Sequence, residues 1–514
     1  MSEPTRREFV AGVGTLPLTT STLTSSRSDV LTPLAAAYAR SEGLIPRSFD
    51  VSVREYGGSP SWSVSVGEDD VDALRDWESE SEDRVILRVN EEAGVATVAA
   101  PVSDISDSVI DSGLESSTYI EWIDLDVRAT LVEPVSRVPT ADDLDTDYSA
   151  LESILVSDEP TPDGLAYEVE ESTVGDAREL VNDDTSEDGS GVTVAVIDTG
   201  VTNDLDVFGR EIETDDGETT LETRILDASR NYVAAGDPTV GETDDVYTVE
   251  DGNGHGTWVA SAIASATDDP TYRGVVPDAD VLALRALDDD GRGSTADIAA
   301  ALRYAADQGV ESACMSLGSP TYSADLADAV EYAVESDVDV VAAAGNDRQA
   351  SRYLNYPASH PETIAVGATG VDDSGSVRSA SFSNVGPSPG TLDFSAGETA
   401  DVEVDVAAPG MEIEADTGEG LRSLSGTSMA APFVAATAAL IDDEDVADRL
   451  ASTASREEEL SPSEAGGGLL DVSAALSHTE SDSDLEEVMS DTAALRDTGY
   501  RSESAARGRF LWGL

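Results

Sequence analysis

The spacing of apolar residues changes character near residue 190. From there, short unbroken apolar runs alternate with stretches whose apolar residues recur every three or four positions. "GVTVAVID" (191–198), "ADVLALRAL" (279–287), "SACMSLGS" (312–319), "DVVAAAGN" (339–346) and "ETIAVGAT" (362–369) have strand length and no polar face. "STADIAAALRYAADQG" (294–309) opens on Ser/Thr cap candidates, carries apolar residues at 298, 302 and 305, and stops at Gly309, which predicts a helix. Another helix is expected over 323–336, and two more in "GTSMAAPFVAATAALI" and "LLDVSAALS". Strands buried on both faces and separated by helices predict the α/β class: a doubly wound parallel sheet with helices on both faces.

The chain before 190 reads differently. "DRVILRV" (83–89) and "GVATVAAP" (94–101) are expected strands joined by a tight Glu-Glu-Ala-Gly turn. "SDISDSVIDSG" has apolar residues at 105, 109 and 110, at helical spacing, and "YIEWIDLDVRATLVEP" returns to alternation until Pro134. These elements make a small α+β unit over 29–138. Residues 139–190 are acidic and punctuated by Pro and Gly, the pattern of a connector, with one helix expected near 174–182. Residues 478–514 form a tail, acidic and then Arg-containing, to which the pattern assigns no role. At the other end, "TRREFVAGVGTLPL" sets Arg6, Arg7 and Phe9 ahead of a weakly apolar run. Residues 1–28 thus resemble a twin-arginine export signal, which points to secretion.

Composition narrows the function classes. There are 105 acidic residues against 29 basic ones, every basic one an Arg, for a formal net charge of -76. The acid is spread along the whole length, so it reads as a surface adapted to concentrated salt and not as a local patch for a basic partner. Nucleic acid is excluded as a partner, because no basic stripe exists to neutralise phosphates. The single cysteine, Cys314, lies in an apolar run and reads as a core residue; one cysteine forms no intrachain disulfide. No apolar stretch reaches the roughly 18 residues that a membrane span needs.

Three short segments carry candidate chemistry. "VAVIDTGV" puts Asp198 at the carboxyl end of an expected buried strand. "GNGHGTWVASAIAS" puts His255 at the start of a helix. "SLSGTSMAAPFVAA" puts Ser428 at the start of another. Sites in open α/β sheets form outside the carboxyl ends of the strands, so the three can meet on one edge. A serine hydroxyl needs an adjacent base to become a nucleophile. Histidine is suited to that task, and an acid behind it fixes its tautomer and stabilises the imidazolium. The glycines beside His255 are read as clearance for a substrate chain. Taken singly, a strand-end Asp, a helix-start His and a capping Ser are ordinary; their order and flanking patterns make the combination specific.

These segments resemble the catalytic signatures of the subtilisin-family (subtilase) serine proteases: "DTGV", "GHGT" and "GTSMAAP". "MSLGS" (315–319), "AAAGND" (342–347), "NYPASHPETIAVGA" (355–368) and "GGGLLDVSAAL" (466–476) extend the likeness over roughly 190–477. It implies a subtilisin-like catalytic domain at 191–477 acting on polypeptides through an acyl-enzyme. Asp198 would orient the imidazole, His255 act as general base and then acid, and Ser428 attack. Asn346 would supply an oxyanion-hole donor, and Ser316, Leu317 and Gly318 the substrate-pairing strand. A cis Tyr356–Pro357 bond is also implied. Position and α+β architecture make the 29–138 unit similar to the family's propeptide, a folding aid and tethered inhibitor. No cofactor is implied for catalysis, although the family often uses structural calcium; a monomer is expected. The acidity, the absence of Lys and the export signal together resemble secreted haloarchaeal subtilases. Trp258 departs from the family's usual second His, and the spacing from Asp198 to His255 implies an acidic insertion near 211–250. His360 and His478 are read as structural. The rivals are a catalytically silent subtilase acting as a binding protein, and an acyl hydrolase of another substrate class.

Overall fold

The computed structural model describes most of 55–101, residue 105, 122–131, and 169–477 apart from 170, 214–218, 234–248, 320–321, 349–352, 387, 390–400 and 442–444. Among these residues, an eight-stranded sheet is the centre of the molecule. Its order is Arg230–Asn231, Asp280–Arg285, Thr193–Asp198, Ser312–Met315, Asp339–Ala343 and Ile364–Val371, with Val406–Pro409 and Val377–Ser379 both paired to the last. Every pairing is parallel except that with Val377–Ser379. The unbroken apolar runs are explained by burial on both faces. Val194 and Val196 join a core with the helices His255–Ala264 and Thr427–Ala438. Ala195 and Ile197, pointing the other way, join one with Thr295–Asp307 and Ala324–Glu335.

The cap signals of the 294–309 helix act as read: Ser294 Oγ accepts the Asp297 N–H at 3.0 Å, and Gly309 takes a left-handed φ of 66°. Ser323 Oγ likewise accepts the Leu326 N–H at 3.2 Å. The 323–336 element is Ala324–Glu335. Cys314 is fully buried in the core, and burial pushes its thiol up to about 12.

The described part of 55–131 is an antiparallel sheet carrying a helix, Val71–Ser79. The expected strands appear as Val85–Asn90 and Val95–Ala99. Sequence reading missed the helix and the strand Ser59–Ser65, which runs through the middle of the sheet. In "SPSWSVS", Trp62 and Val64 pack on Leu74, Val98 and Ile123, while Ser61, Ser63 and Ser65 line the opposite face, also buried. A strand with alternating large apolar and small polar side chains has one face for its own core and one for a close neighbour. The neighbour is the helix pair Thr295–Asp307 and Ala324–Glu335. Ser63 Oγ donates to Asp325, and Arg88 pairs with Asp297 at 2.7 Å. Asp124 accepts the Ala324 N–H at 2.7 Å and Asp126 that of Ala296 at 3.2 Å. Each carboxylate thus sits at the positive end of a helix dipole.

The expected continuous alternation over 119–134 divides at Asp126–Val127 into two strands in different sheets. Trp122–Leu125 pairs with Ser59–Ser65, whereas Arg128–Leu131 pairs antiparallel with both Arg292–Ser294 and Leu317–Gly318. The described end of the expected connector, 171–190, is packed structure. Ser172–Thr173 pairs with Ile413–Glu414, and Val174, Ala177 and Val181 of the helix Val174–Leu180 and its cap enter the core beside the His255 helix. The described part of the expected insertion forms the hairpin Gly209–Glu213 with Thr219–Thr223. The expected helix near 105–110 lies outside the described residues except for Ile105, as do 1–54, His478 and the tail. Among the described residues, no helix is long and apolar enough to cross a membrane.

Candidate active site

Asp198 ends its strand at the carboxyl edge of the sheet. Its carbonyl accepts the N–H groups of Ala286 (2.9 Å) and Leu287 (3.1 Å), which holds the backbone there. Its carboxylate takes the Thr199 N–H at 2.7 Å and faces His255 Nδ1 at 2.8 Å through Oδ1 and 3.1 Å through Oδ2. An ionised carboxylate only accepts, so Nδ1 carries the proton and Nε2 is left as the basic nitrogen. Asp198 and His255 are both buried, at 0% and 2% exposure, so their mutual attraction is little screened by water. Among the described residues, Nε2 makes no hydrogen bond.

His255 is the first residue of its helix. The adjacent glycines are required by packing, not by substrate clearance. A Cβ on Gly256 would lie 2.2 Å from the Gly200 carbonyl oxygen and 3.1 Å from Asp198 Cβ. Gly254 holds φ +88° with Thr417 3.1 Å from where its Cβ would be. The loop is also held by Asp251, which sequence reading missed. Asp251 Oδ1 accepts the N–H of Gly254 at 2.8 Å, and Oδ2 accepts the N–H and hydroxyl of Thr257 at 2.8 and 2.7 Å. Thr199 bridges the two carboxylates: its Oγ1 lies 2.8 Å from Asp251 and 3.2 Å from Asp198, and accepts the Gly256 N–H at 3.0 Å. The "D-x-x-x-H-G-T" spacing was the available signal, since an acid ahead of a helix start can take first-turn N–H groups.

Ser428 lies in the first turn of Thr427–Ala438, every residue of which is buried. This helix packs against the His255 helix. Ser428 Oγ donates to the Ser316 carbonyl at 3.2 Å. Asn346 follows the strand Asp339–Ala343, and its Oδ1 accepts both the N–H and the hydroxyl of Thr427 at 2.9 Å. A backbone N–H only donates, so the oxygen is fixed toward Thr427 and Nδ2 lies on the other edge of the amide. An amide donor and a first-turn helix N–H beside a serine can stabilise a developing oxyanion.

The expected pairing strand Ser316–Gly318 has a second wall, which sequence reading missed. Leu317–Gly318 and Arg292–Ser294 flank a slot that Arg128–Leu131 of the same chain fills. Leu131 N–H donates to the Gly291 carbonyl at 2.8 Å. Tyr356–Pro357 is cis, as expected, and Tyr356 exchanges backbone hydrogen bonds with Ser319 at 2.8 and 2.9 Å. Trp258 is wholly buried and its Nε1 donates to the Arg422 carbonyl at 3.1 Å, so it is a packing residue. His360 is buried against Tyr356, and desolvation lowers it to about 4. Among the described residues, no group of three or more His, Cys, Asp or Glu could hold a metal ion.

The sequence model of the subtilase family matches residues 189–499. The chain belongs to the subtilase family. It is 36% identical over 256 residues to subtilisin BL of Lederbergia lenta, which covers 49% of this chain and 77% of that one. It is 42% identical over 200 residues to the thermophilic serine proteinase of Bacillus sp. (strain AK1), covering 38% of this chain and 45% of the relative. Among solved structures, fervidolysin of Fervidobacterium pennivorans, a keratinolytic enzyme related to subtilisin, superposes with a TM-score of 0.56 at 20% identity. That match covers 83% of this chain and 62% of fervidolysin, and shows the shared fold. The subtilase is therefore a subtilisin-like serine endopeptidase, with the α/β architecture of that family.

Proposed function

We propose that this subtilase is a secreted, salt-adapted endopeptidase made as an inhibited precursor. In this reading Ser428 Oγ attacks the substrate carbonyl, and His255 Nε2 takes its proton and later passes it to the leaving amine. Asp198 holds Nδ1–H and stabilises the imidazolium. Asn346 Nδ2 and the Ser428 N–H carry the oxyanion. Nε2 must come within hydrogen-bond reach of Oγ in the substrate complex, as catalytic contacts commonly tighten on binding.

The observation that carries the reading is Arg128–Leu131 lying as an antiparallel strand between Arg292–Ser294 and Leu317–Gly318. A slot that binds extended backbone on both edges suits a polypeptide, which disfavours an ester hydrolase of another class. The same observation supports the 29–138 unit as an intramolecular inhibitor: its last described strand fills the slot while its serine face covers the two helices. Secretion rests on Arg6, Arg7 and Phe9, and salt adaptation and the likeness to haloarchaeal subtilases on the charge of -76 and the absence of Lys.

A fluorophosphonate probe in molar salt should label Ser428 once the N-terminal unit has been removed, and the labelled protein should lose activity on casein. Casein hydrolysis unaffected by Ser428→Ala overturns the assignment, as does esterase activity without casein hydrolysis.

A further inference from the structure

We infer that Arg422 recognises an acidic side chain of the polypeptide substrate on the leaving-group side of the bond being cut. The inference rests on the endopeptidase reading above and gives that site a substrate preference.

Arg422 stands in the strand Leu421–Leu424, six residues before Ser428. This strand pairs with Ile413–Asp416, and Arg422 lies directly opposite Ala415. Residues opposite one another in an antiparallel pair share a face. Ala415 is buried in the core that holds the His255 helix, and the Asp416 carbonyl accepts from Ser261 of that helix at 3.1 Å. Arg422 therefore stands on the hairpin face turned to the His255 helix, and its own carbonyl accepts from Trp258 at 3.1 Å. Its Nη1 lies 3.7 Å from where a Cβ on Gly254 would be, beside the first residue of that helix. Gly254 has no side chain to cover the cation, and Arg422 is exposed. Glu414 and Asp416 of the paired strand alternate to the other face, where Glu414 accepts the Tyr272 hydroxyl at 2.7 Å.

The guanidinium has no partner within the protein. Among the described residues it makes no hydrogen bond or ion pair, in a chain with 105 acidic residues. Arg178 pairs with Asp183, Arg303 with Asp325 and Asp328, and Arg348 with Glu464. A guanidinium left open beside a catalytic histidine is a ready two-pronged donor for a carboxylate supplied from outside.

The direction of a bound chain assigns the side. In the slot, Thr130 stands opposite Gly318 and Leu131 opposite Leu317, so rising residue numbers run toward Ser316. The Ser316 carbonyl accepts from Ser428 Oγ at 3.2 Å. A chain held in this sense reaches the nucleophile from its N-terminal side, so residues in the slot precede the attacked bond. The half that departs as the amine is the one His255 protonates. Arg422 belongs to neither slot wall and flanks the loop that carries His255, which places it along the departing half.

Charge decides the class of residue recognised. A net charge of -76 repels acidic peptides at long range when salt is low. At 1 M salt the screening length is ~3 Å, so only a contact pair discriminates. Arg422 supplies one such contact at the site.

The full chain is expressed in molar salt, and its active fraction is counted by fluorophosphonate labelling of Ser428. Quenched fluorescent peptides then carry one Glu, Gln or Lys at each of the three positions on either side of a common cut. The expected result is a kcat/KM about threefold to fivefold higher for Glu than for Gln at one or more leaving-group positions, the size of an exposed ion pair. Arg422→Gln should bring that ratio to one, Arg422→Lys should keep part of it, and Arg422→Glu should favour Lys instead. Each ratio compares two peptides on one enzyme sample, so a variant that folds poorly still reports it. Peptides cut with no preference for Glu on the leaving-group side overturn the inference and leave the endopeptidase reading standing. So does a preference that survives Arg422→Gln, or one that Arg422→Gln abolishes only at acyl-side positions. If Ser428 is labelled and no peptide is cut, both fall.

Discussion

The Ser316 hydroxyl donates to the Ser428 carbonyl at 3.0 Å, while the Ser428 hydroxyl donates back to the Ser316 carbonyl at 3.2 Å. The first bond has a cause four residues further on. Pro432 lies inside the helix and has no N–H to give the Ser428 carbonyl. Ser316 supplies the donor from the neighbouring strand end, tying the Ser428 helix to the Leu317–Gly318 strand.

Ser316→Ala should therefore leave a buried carbonyl without that donor. The expected cost is about 1–3 kcal/mol of stability. Thermal unfolding of the variant against the parent measures it, and an unchanged midpoint would show that another donor takes the place of Ser316.

Asp251→Ala should act on rate more than on binding. It removes the acceptor of three N–H groups and one hydroxyl in the loop that sets the entry of the His255 helix. A shift of the imidazole by about 1 Å lowers kcat by about 10²-fold. KM for a peptide substrate should change little, because Asp251 lies outside the slot walls. A rise in KM at constant kcat would place Asp251 in substrate binding instead.

Stability should respond to pH through Asp339, at the start of its strand. Burial pushes this carboxyl up to about 7, against ~3.9 in an unfolded chain. Between those values the folded protein holds a proton that the unfolded chain has released. Stability from this group therefore falls as pH rises through the window, and the loss is complete above it. Asp339→Asn should raise stability by about 1–3 kcal/mol at pH 8 and by less at pH 5. Unfolding curves at both pH values decide it; an equal gain at both would mean that the carboxyl does not titrate in this window.

Folding should depend on salt. A net charge of -76 repels itself, and the screening length falls from ~10 Å at 0.1 M to ~3 Å at 1 M. The protein should unfold at a lower temperature in 0.1 M salt than in 3 M salt. Equal midpoints would remove the case for salt adaptation.

The sequence by itself determined what depends on neighbours in the chain. Two-sided apolar runs marked the sheet strands, Ser294 and Gly309 marked the ends of a helix, and Asp198, His255 and Ser428 stood in signatures specific enough to name the family. Period and capping are local, so a single sequence carries them. Tertiary structure decided what depends on distant segments meeting. Ser61, Ser63 and Ser65 have no apolar stripe to announce their burial, because their face is made for close approach to two helices more than 200 residues away. Arg128–Leu131 looks like the continuation of the strand before it, yet its hydrogen bonds go to residues at 292–294 and 317–318. Backbone donors and acceptors are the same at every residue, so nothing in the side-chain pattern says which slot a strand will fill. The three-dimensional register alone sets Leu131 opposite Leu317, the residue after the Ser316 whose carbonyl accepts from Ser428.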